Sequence, residues 1–288
     1  MSIHDKFLDG STLYEKTLDR IRTFCNGKRV LCAFSGGKDS QACYHLLEDA
    51  GIPFHAEYSI TRFEPPELMR FIRKHYPTVT FRRAYKKSLV DDIESNGLPN
   101  RWARWCCKAK HAKTAGYDIA VIGIRWAESS ARRESWRMFG TKPDKTAYLC
   151  PIVDWTSADV WEYLGDMPHC CLYDQGYNRI GCVCCPLAAY NMAGDARRYP
   201  KTAAMLKIGG NKFVARMRRQ NFITQNGFPC HDWCKASSPE DEYFARWIAT
   251  GQTAKPITGD VMAEDDCLFA GSGFSEADGR EDEEEGME

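Results

Sequence analysis

Six residues, Ser35-Gly36-Gly37-Lys38-Asp39-Ser40, follow directly on the apolar stretch Val30-Leu31-Cys32-Ala33-Phe34, and they narrow the choice of folds more than any other part of the chain. A short buried strand that enters a Gly-rich turn and leaves as a helix, here expected from Ser40 to about Ala50, is how α/β proteins build phosphate sites. Gly36 and Gly37 carry no Cβ, so the backbone can bend sharply and bring its N–H groups against an anion. Ser35 and Ser40 add hydroxyls, Lys38 adds a cation, and the new helix directs its positive end at the same point. The segment is not a Walker A loop, because Lys38 is followed by Asp39 and no glycine stands five residues before Gly37. Nor does it have the spacing of the dinucleotide GxGxxG fingerprint. An ordinary glycine turn between strand and helix is the plainer alternative.

The cysteines form a second pattern. Cys106-Cys107 is separated by 74 residues from Cys182-Val183-Cys184-Cys185, in which Cys182 and Cys185 make a CxxC. Two thiolate pairs suit a soft metal or an iron–sulfur cluster. Zinc ribbons more often present two CxxC knuckles, and directly adjacent cysteines chelate one small ion awkwardly. Zinc and simple burial of the thiols stay open, whereas a disulfide is disfavoured: the sequence shows no secretory signal and no apolar span of about 18 residues, so it reads as cytoplasmic and reducing. No membrane association is expected.

The loop resembles the SGGxDS pyrophosphate loop of the PP-loop ATP pyrophosphatases, which cleave ATP between the α and β phosphates. Joined to the cysteines, it resembles one branch of that superfamily, the phosphoadenosine phosphosulfate (PAPS) reductase-like proteins. Gly123-Ile124-Arg125-Trp126-Ala127-Glu128-Ser129 with Arg132 and Arg133 is similar to the family's GxRxxES…R segment. Pro151-Ile152-Val153-Asp154-Trp155 with Asp159-Val160-Trp161 is similar to its PIxDW…DVW segment. Leu172-Tyr173-Asp174-Gln175-Gly176-Tyr177 with Ile180-Gly181-Cys182 is similar to its PLYxxGYxxIGC segment, and the resemblance runs over about residues 28 to 190.

The resemblance implies an α/β fold: a Rossmann-like, adenine nucleotide alpha hydrolase-like parallel sheet with flanking helices, plus a smaller helical region that completes an iron–sulfur site. It implies nucleotide contacts from Ser35, Gly36, Gly37, Lys38, Asp39, Ser40, Gly123, Arg125, Arg132 and Arg133. Lys38, Asp39, Arg125 and Glu128 are the implied catalytic group, with Lys38 and Mg²⁺ neutralising the pyrophosphate and Asp39 either supporting that metal or bracing the loop. Cys106, Cys107, Cys182 and Cys185 are the implied ligands of a 4Fe-4S cluster. Cys184, between two of them, is a substitute ligand or a separate thiol. Cys170-Cys171 and Cys230/Cys234 read as packing or an independent zinc site, and His111 and His169 as structural.

Reductases of adenylyl sulfate or PAPS usually have a degraded loop and an ECGxH segment whose cysteine attacks sulfur. In this sequence the loop is intact and no ECGxH occurs; Cys230-His231 and Cys267 lack the motif. The combination most resembles the ATP-pyrophosphatase component of DNA phosphorothioation systems, and more loosely the cluster-bearing tRNA thiolation enzymes. That resemblance implies ATP as substrate, DNA or tRNA as acceptor, and a cysteine desulfurase as sulfur donor. A reductase producing sulfite, and a non-catalytic nucleotide-binding subunit, are the two alternatives.

Net charge is zero over 288 residues, but it is unevenly spread. Residues 259–288 carry twelve acids against one Arg, leaving 38 basic and 27 acidic side chains, a net of +11, on the rest. Segment 62–113 holds thirteen Lys and Arg against five acids and interleaves Trp102 and Trp105 with Arg101 and Arg104. Cations with stacking faces are what a nucleic-acid footprint needs; a solvated basic face is the alternative. The expected organisation is a nucleotide-binding domain over 1–150, a helical region over 151–256 and an acidic, disordered tail over 257–288.

Helices are expected over 14–25, 66–75, 91–96, 109–115 and from Thr156 or Ser157 to Leu164, with strands near 54–60, 79–81 and 120–124. Two further helices, 191–208 and 211–222, are expected to be separated by a turn at Gly209-Gly210, with another turn at Asn226-Gly227.

Overall fold

A computed structural model describes residues 2–84, 86–100, 103–110, 116–141, 146–219 and 241–249. Arg101, Trp102, His111, the turn at Asn226-Gly227, Cys230, His231, Cys234, Cys267 and the acidic tail lie outside the described residues.

The first helix, α1 (Leu13–Cys25), starts with a capping box, in which Thr12 accepts from the Glu15 N–H and Glu15 accepts from the Thr12 N–H. It leads into β1 (Val30–Ala33) and α2 (Lys38–Asp49), then β2 (Phe54–Ile60), α3 (Pro66–His75) and β3 (Thr80–Arg83). After α4 (Leu89–Asn96) and α5 (Trp105–Lys110) come β4 (Ile119–Val121), α6 (Ser130–Ser135), β5 (Phe139–Thr141) and β6 (Ala147–Leu149). The six strands form one sheet in the order β3-β2-β1-β4-β6-β5, parallel except for β5 at the edge. β1 is apolar throughout because its neighbours bury it on both faces. This is the Rossmann-like α/β architecture expected from the sequence. The pair β5/β6 was not anticipated, since three-residue strands give too little periodicity to register.

Three apolar clusters are found among the described residues, the smallest of them Ile124, Trp136, Tyr148, Cys150 and Val153. The first joins the sheet to α1, α2 and α3, and also takes in Ile152, Trp155, Val160, Leu164, Cys170, Leu172 and Ile180 from the segment that contains α7 (Ser157–Leu164). The second gathers Phe63, Leu89, Ile93 and Leu98 with Val183, Cys184, Met192, Tyr199, Leu206 and Trp247. Those later residues belong to α8 (Met192–Arg198), α9 (Pro200–Arg219), α10 (Glu242–Ala249) and the loops before them. No helix among the described residues is long and apolar enough to cross a membrane.

Helix α9 corrects one expectation. It runs through Gly209-Gly210 without a turn. The glycines are there for close approach: a Cβ on Gly209 would lie 2.8 Å from Ile93 Cβ on α4, and one on Gly210 would lie 3.3 Å from Leu98 Cδ1. Packing outweighs the intrinsic cost of glycine in a helix, about 1 kcal/mol per residue. Gly209→Ala gains that propensity but meets a branched Cβ that cannot swing away, at an overpacking cost of about 1–3 kcal/mol. A net loss of stability in urea unfolding is therefore expected; a stabilised variant would contradict the packing account. Earlier in the chain the expected helix 191–208 breaks at Tyr199, where Pro200 starts a new one.

Candidate phosphate site and cysteine centre

Strand order reverses beside β1: the chain goes to β2 on one side and reaches β4 on the other. The connections leaving β1 and β4 therefore diverge, which opens a crevice at their carboxyl ends. Loop 34–37 and segment 122–125 form its two lips. They touch closely, for a Cβ on Gly123 would lie 2.8 Å from the Asp39 backbone carbon and oxygen and 3.0 Å from the Ser40 nitrogen. Only glycine fits there.

The loop is internally braced. Ser40 Oγ accepts from the Ser35 N–H at 3.1 Å, lies 3.0 Å from Ser35 Oγ and donates to the Gly37 carbonyl at 2.9 Å. Gly36 has φ +73°, and its missing Cβ would meet Ile72 Cδ1 at 2.6 Å. Its carbonyl accepts from the buried Gln41 Nε2 at 3.1 Å. Helix α2 begins at Lys38, two residues earlier than expected, so Lys38 and Asp39 occupy its first turn.

Lys38 is buried, 4 % exposed. Its Nζ donates to the Asn178 carbonyl at 3.1 Å and lies 3.8 Å from Asp39 Oδ2. Its backbone N–H, one of the four that a helix start leaves without intrahelical partners, donates to the Tyr173 hydroxyl at 2.9 Å. Burial pushes the Tyr173 hydroxyl pKa up, so that hydroxyl is protonated at neutral pH. Tyr173 and Asn178 were missed in reading the sequence for site residues, although both lie in or just after the Leu172–Tyr177 motif that marked the segment.

Asp39 is ion-paired across the crevice. Its Oδ1 accepts from Arg125 Nε at 2.7 Å, and Arg125 is 1 % exposed. Arg125 Nη2 in turn lies 3.8 Å from Glu128 Oε1, and Glu128 pairs with the buried Arg132. Two carboxylates and two guanidiniums thus form a buried chain that pins the β4 exit to the first turn of α2. Arg133 is exposed on α6 and lies outside that chain. Ser129, at the end of the same motif, caps α6 by accepting from the Arg132 N–H at 3.1 Å.

The Pro151–Trp155 motif is structural. Asp154 takes both Arg20 guanidinium nitrogens, at 2.7 and 2.6 Å, and Trp155 Nε1 donates to Thr17 Oγ1 at 3.0 Å, which clamps α1 to the domain. Beyond it, α7 and the following loop line a half-open cleft of about 500 Å³, two of whose residues, Tyr173 and Asn178, also contact Lys38. Trp161, Tyr173 and Tyr177 supply rings to this cleft, and His169, Asp174 and Asn178 supply polar groups.

Cys106 and Cys107 lie in the first turn of α5 rather than ahead of it, because the helix starts at Trp105. Together with Cys182 and Cys185 they are half-buried thiols outside any disulfide, and Cys106 and Cys182 pack against the same second core. Cys184 differs. It is buried with φ +56°, its N–H donates to Asp195 Oδ2 at 2.9 Å, and its thiol lies 3.6 Å from the Met192 carbonyl oxygen. Burial pushes that thiol up to about 12, and it packs within the second core. Among the described residues, no three His, Cys, Asp or Glu side chains gather closely enough to hold a single metal ion. Two of these thiols lie on a helix and two on a loop, and as soft donors the four have the chemistry that an iron–sulfur cluster takes. The Val183 N–H donates to the Phe63 carbonyl, 2.6 Å away, so the cysteine loop hangs directly on the segment leaving β2.

Trp105 is committed inward: its indole N–H donates to the Gly97 carbonyl at 3.1 Å and its ring meets Phe63 edge-on. Exposed cations nearby are Arg83, Lys86, Lys87 and Lys108.

Residues 29–188, more than half of the chain, match the phosphoadenosine phosphosulfate reductase domain. An uncharacterized protein of Methanocaldococcus jannaschii is 31% identical over 191 residues, covering 60% of this chain and 40% of its own length. This chain thus spans less than half of that relative. The adenosine 5'-phosphosulfate reductase of Shouchella clausii is 26% identical over 186 residues, 60% of this chain and 76% of that one. Among solved structures, the phosphoadenylyl-sulfate reductase of Candida auris aligns with a TM-score of 0.46 at 17% identity, over 58% of this chain and 88% of that one.

Proposed function

Since the chain belongs to the phosphoadenosine phosphosulfate reductase domain family, we propose that it binds ATP across the carboxyl ends of β1 and β4, releases pyrophosphate and leaves an adenylated acceptor that is then thiolated. The observation that carries this reading is the complete loop, with Lys38 buried at the start of α2 and Ser35, Ser40 and Gln41 holding its backbone in place. A preformed cation at a helix N-terminus stabilises charge that develops on a departing pyrophosphate. Mg²⁺ would share that charge, and the pairing of Asp39 with Arg125 favours its bracing role over a metal-ligand role. Arg125 and Arg132 hold the β4 lip in register, and Tyr173 fixes the first turn of α2.

Cys106, Cys107, Cys182 and Cys185 would hold a 4Fe-4S cluster, which when bound supplies electron transfer and sulfur ligation. Anaerobically purified protein is expected to be brown, with iron and acid-labile sulfide, and Cys182→Ala or Cys107→Ala to bleach it. Stoichiometric zinc without sulfide would contradict the assignment. A nucleic acid is the proposed acceptor, supported by the +11 charge on residues 1–258 and the exposed cations after β3. A cysteine desulfurase is the proposed sulfur donor.

The relatives named adenosine 5'-phosphosulfate reductase support a second reading, reduction of a nucleotide sulfate to sulfite. Incubating cluster-loaded protein separately with ATP and with PAPS or adenosine 5'-phosphosulfate separates the two. The first reading expects pyrophosphate from ATP and no sulfite from either sulfate; sulfite with an ordinary dithiol reductant would replace it by the second.

A further inference from the structure

We propose that the Tyr173 hydroxyl is a built-in stand-in for a phosphate oxygen, which a nucleotide's phosphate displaces when it settles on the loop; this rests on the reading of the loop as a phosphate site. Lys38 gives both its nitrogens to oxygens of one short segment. The backbone N–H donates to the Tyr173 hydroxyl at 2.9 Å, and Nζ donates to the Asn178 carbonyl at 3.1 Å. The two contacts are not equivalent. An ammonium has several hydrogens to give, so Lys38 can keep Asn178 and still meet an anion, whereas a backbone N–H has a single one. Lys38 is the first residue of α2, so this N–H is among those that a helix start offers to an anion. Tyr173 holds it. The same hydroxyl would lie 3.4 Å from a Cβ on Gly37, which places it over the glycine turn itself.

The segment around Tyr173 is built as a latch. Its ends are fixed, because Leu172 and Ile180 are buried in the first core. Between them Asp174, Gln175, Gly176 and Asn178 are exposed. The backbone closes on itself: the Gln175 and Tyr177 N–H groups donate to the Leu172 carbonyl at 3.2 and 3.1 Å, and the Gly176 N–H donates to the Tyr173 carbonyl at 3.0 Å. The turn can therefore shift as one piece and keep its own hydrogen bonds. Besides Lys38, Arg198 ties it down, with Nη2 donating to Gln175 Oε1 at 2.6 Å and to Glu67 Oε1 on α3 at 3.1 Å. Release exchanges a neutral hydrogen bond at the Lys38 N–H for a charge-assisted one, so a phosphate gains by it and an uncharged nucleoside does not. Trp161 stands where it can report the movement, edge-on to the Tyr173 ring with centroids 5.0 Å apart at 90°.

The test needs no turnover. Inorganic pyrophosphate with Mg²⁺ is titrated into the full chain by calorimetry, and tryptophan emission is followed in parallel, with adenosine as the uncharged control. Tyr173→Phe keeps the ring and its packing but removes the competing oxygen. It is expected to bind pyrophosphate about three- to tenfold more tightly, the change that corresponds to one neutral hydrogen bond. Arg198→Ala leaves Tyr173 in place but loosens the turn, and is expected to tighten binding by a smaller factor, since less of the protein is held in the latched form. Pyrophosphate is expected to change the emission of the unmodified protein and not that of Trp161→Phe, and adenosine to change neither. Equal or weaker pyrophosphate binding by Tyr173→Phe would overturn the proposal and leave Tyr173 as a fixed part of the site. A Trp161 signal with adenosine, or no pyrophosphate binding to either protein, would also overturn it. Cleavage of ATP to ADP and orthophosphate would refute the adenylating reading while leaving these binding results standing.

Discussion

Lys38→Ala is expected to lower ATP turnover by about 10²-fold or more, the usual consequence of losing one preorganised charge stabiliser. The lysine is buried against the Asn178 carbonyl and near Asp39, so its ammonium is already in place before any phosphate arrives. Placing it costs nothing at the moment of reaction, and water cannot replace it. Lys38→Met, which keeps the aliphatic stem, should lose activity to the same degree while preserving the thermal midpoint. Unchanged turnover in either variant, measured as pyrophosphate release, would remove the loop from the chemistry.

Arg125→Ala is expected to destabilise the protein by about 3–5 kcal/mol, because it strips the partner from two carboxylates at a largely buried site. Asp39 would then keep only the more distant Lys38, 3.8 Å away, and Glu128 only its pair with Arg132. Adding Asp39→Asn should recover part of the loss, and a double-mutant cycle in urea measures how much. A loss below about 1 kcal/mol would mean that the pair behaves as an exposed ion pair does.

Much of the sheet and of the loop after β1 is legible in the sequence because its signals are local. The run 30–40 contains strand, turn and helix in order, and the structure has all three in that order, with the helix starting two residues early, at Lys38. The Gly123–Ser129 motif likewise joins the loop, because Gly123 is the residue that allows the two lips to touch. What stayed hidden depends on partners far along the chain. Nothing in the neighbourhood of Gly209 announces Ile93, so a glycine pair that permits helix contact reads as a turn. Tyr173 acts on Lys38 from 135 residues away, and the motif around it signals importance without stating what it touches. The Pro151–Trp155 segment shows the converse, a strong motif whose side chains serve to hold α1. Trp105 was grouped with the basic residues by adjacency alone, and its indole is turned to Gly97 and Phe63 instead. Trp102 and Arg101 lie outside the described residues.

The bond that is broken tests the central claim most directly. ATP labelled with ³²P at the α position in one reaction and at the γ position in another is incubated with cluster-loaded protein and single-stranded nucleic acid, and the products are separated. The account predicts α label in AMP or in the adenylated acceptor and γ label in pyrophosphate, with neither appearing in Lys38→Ala. Recovery of α label in ADP and γ label in orthophosphate would contradict it.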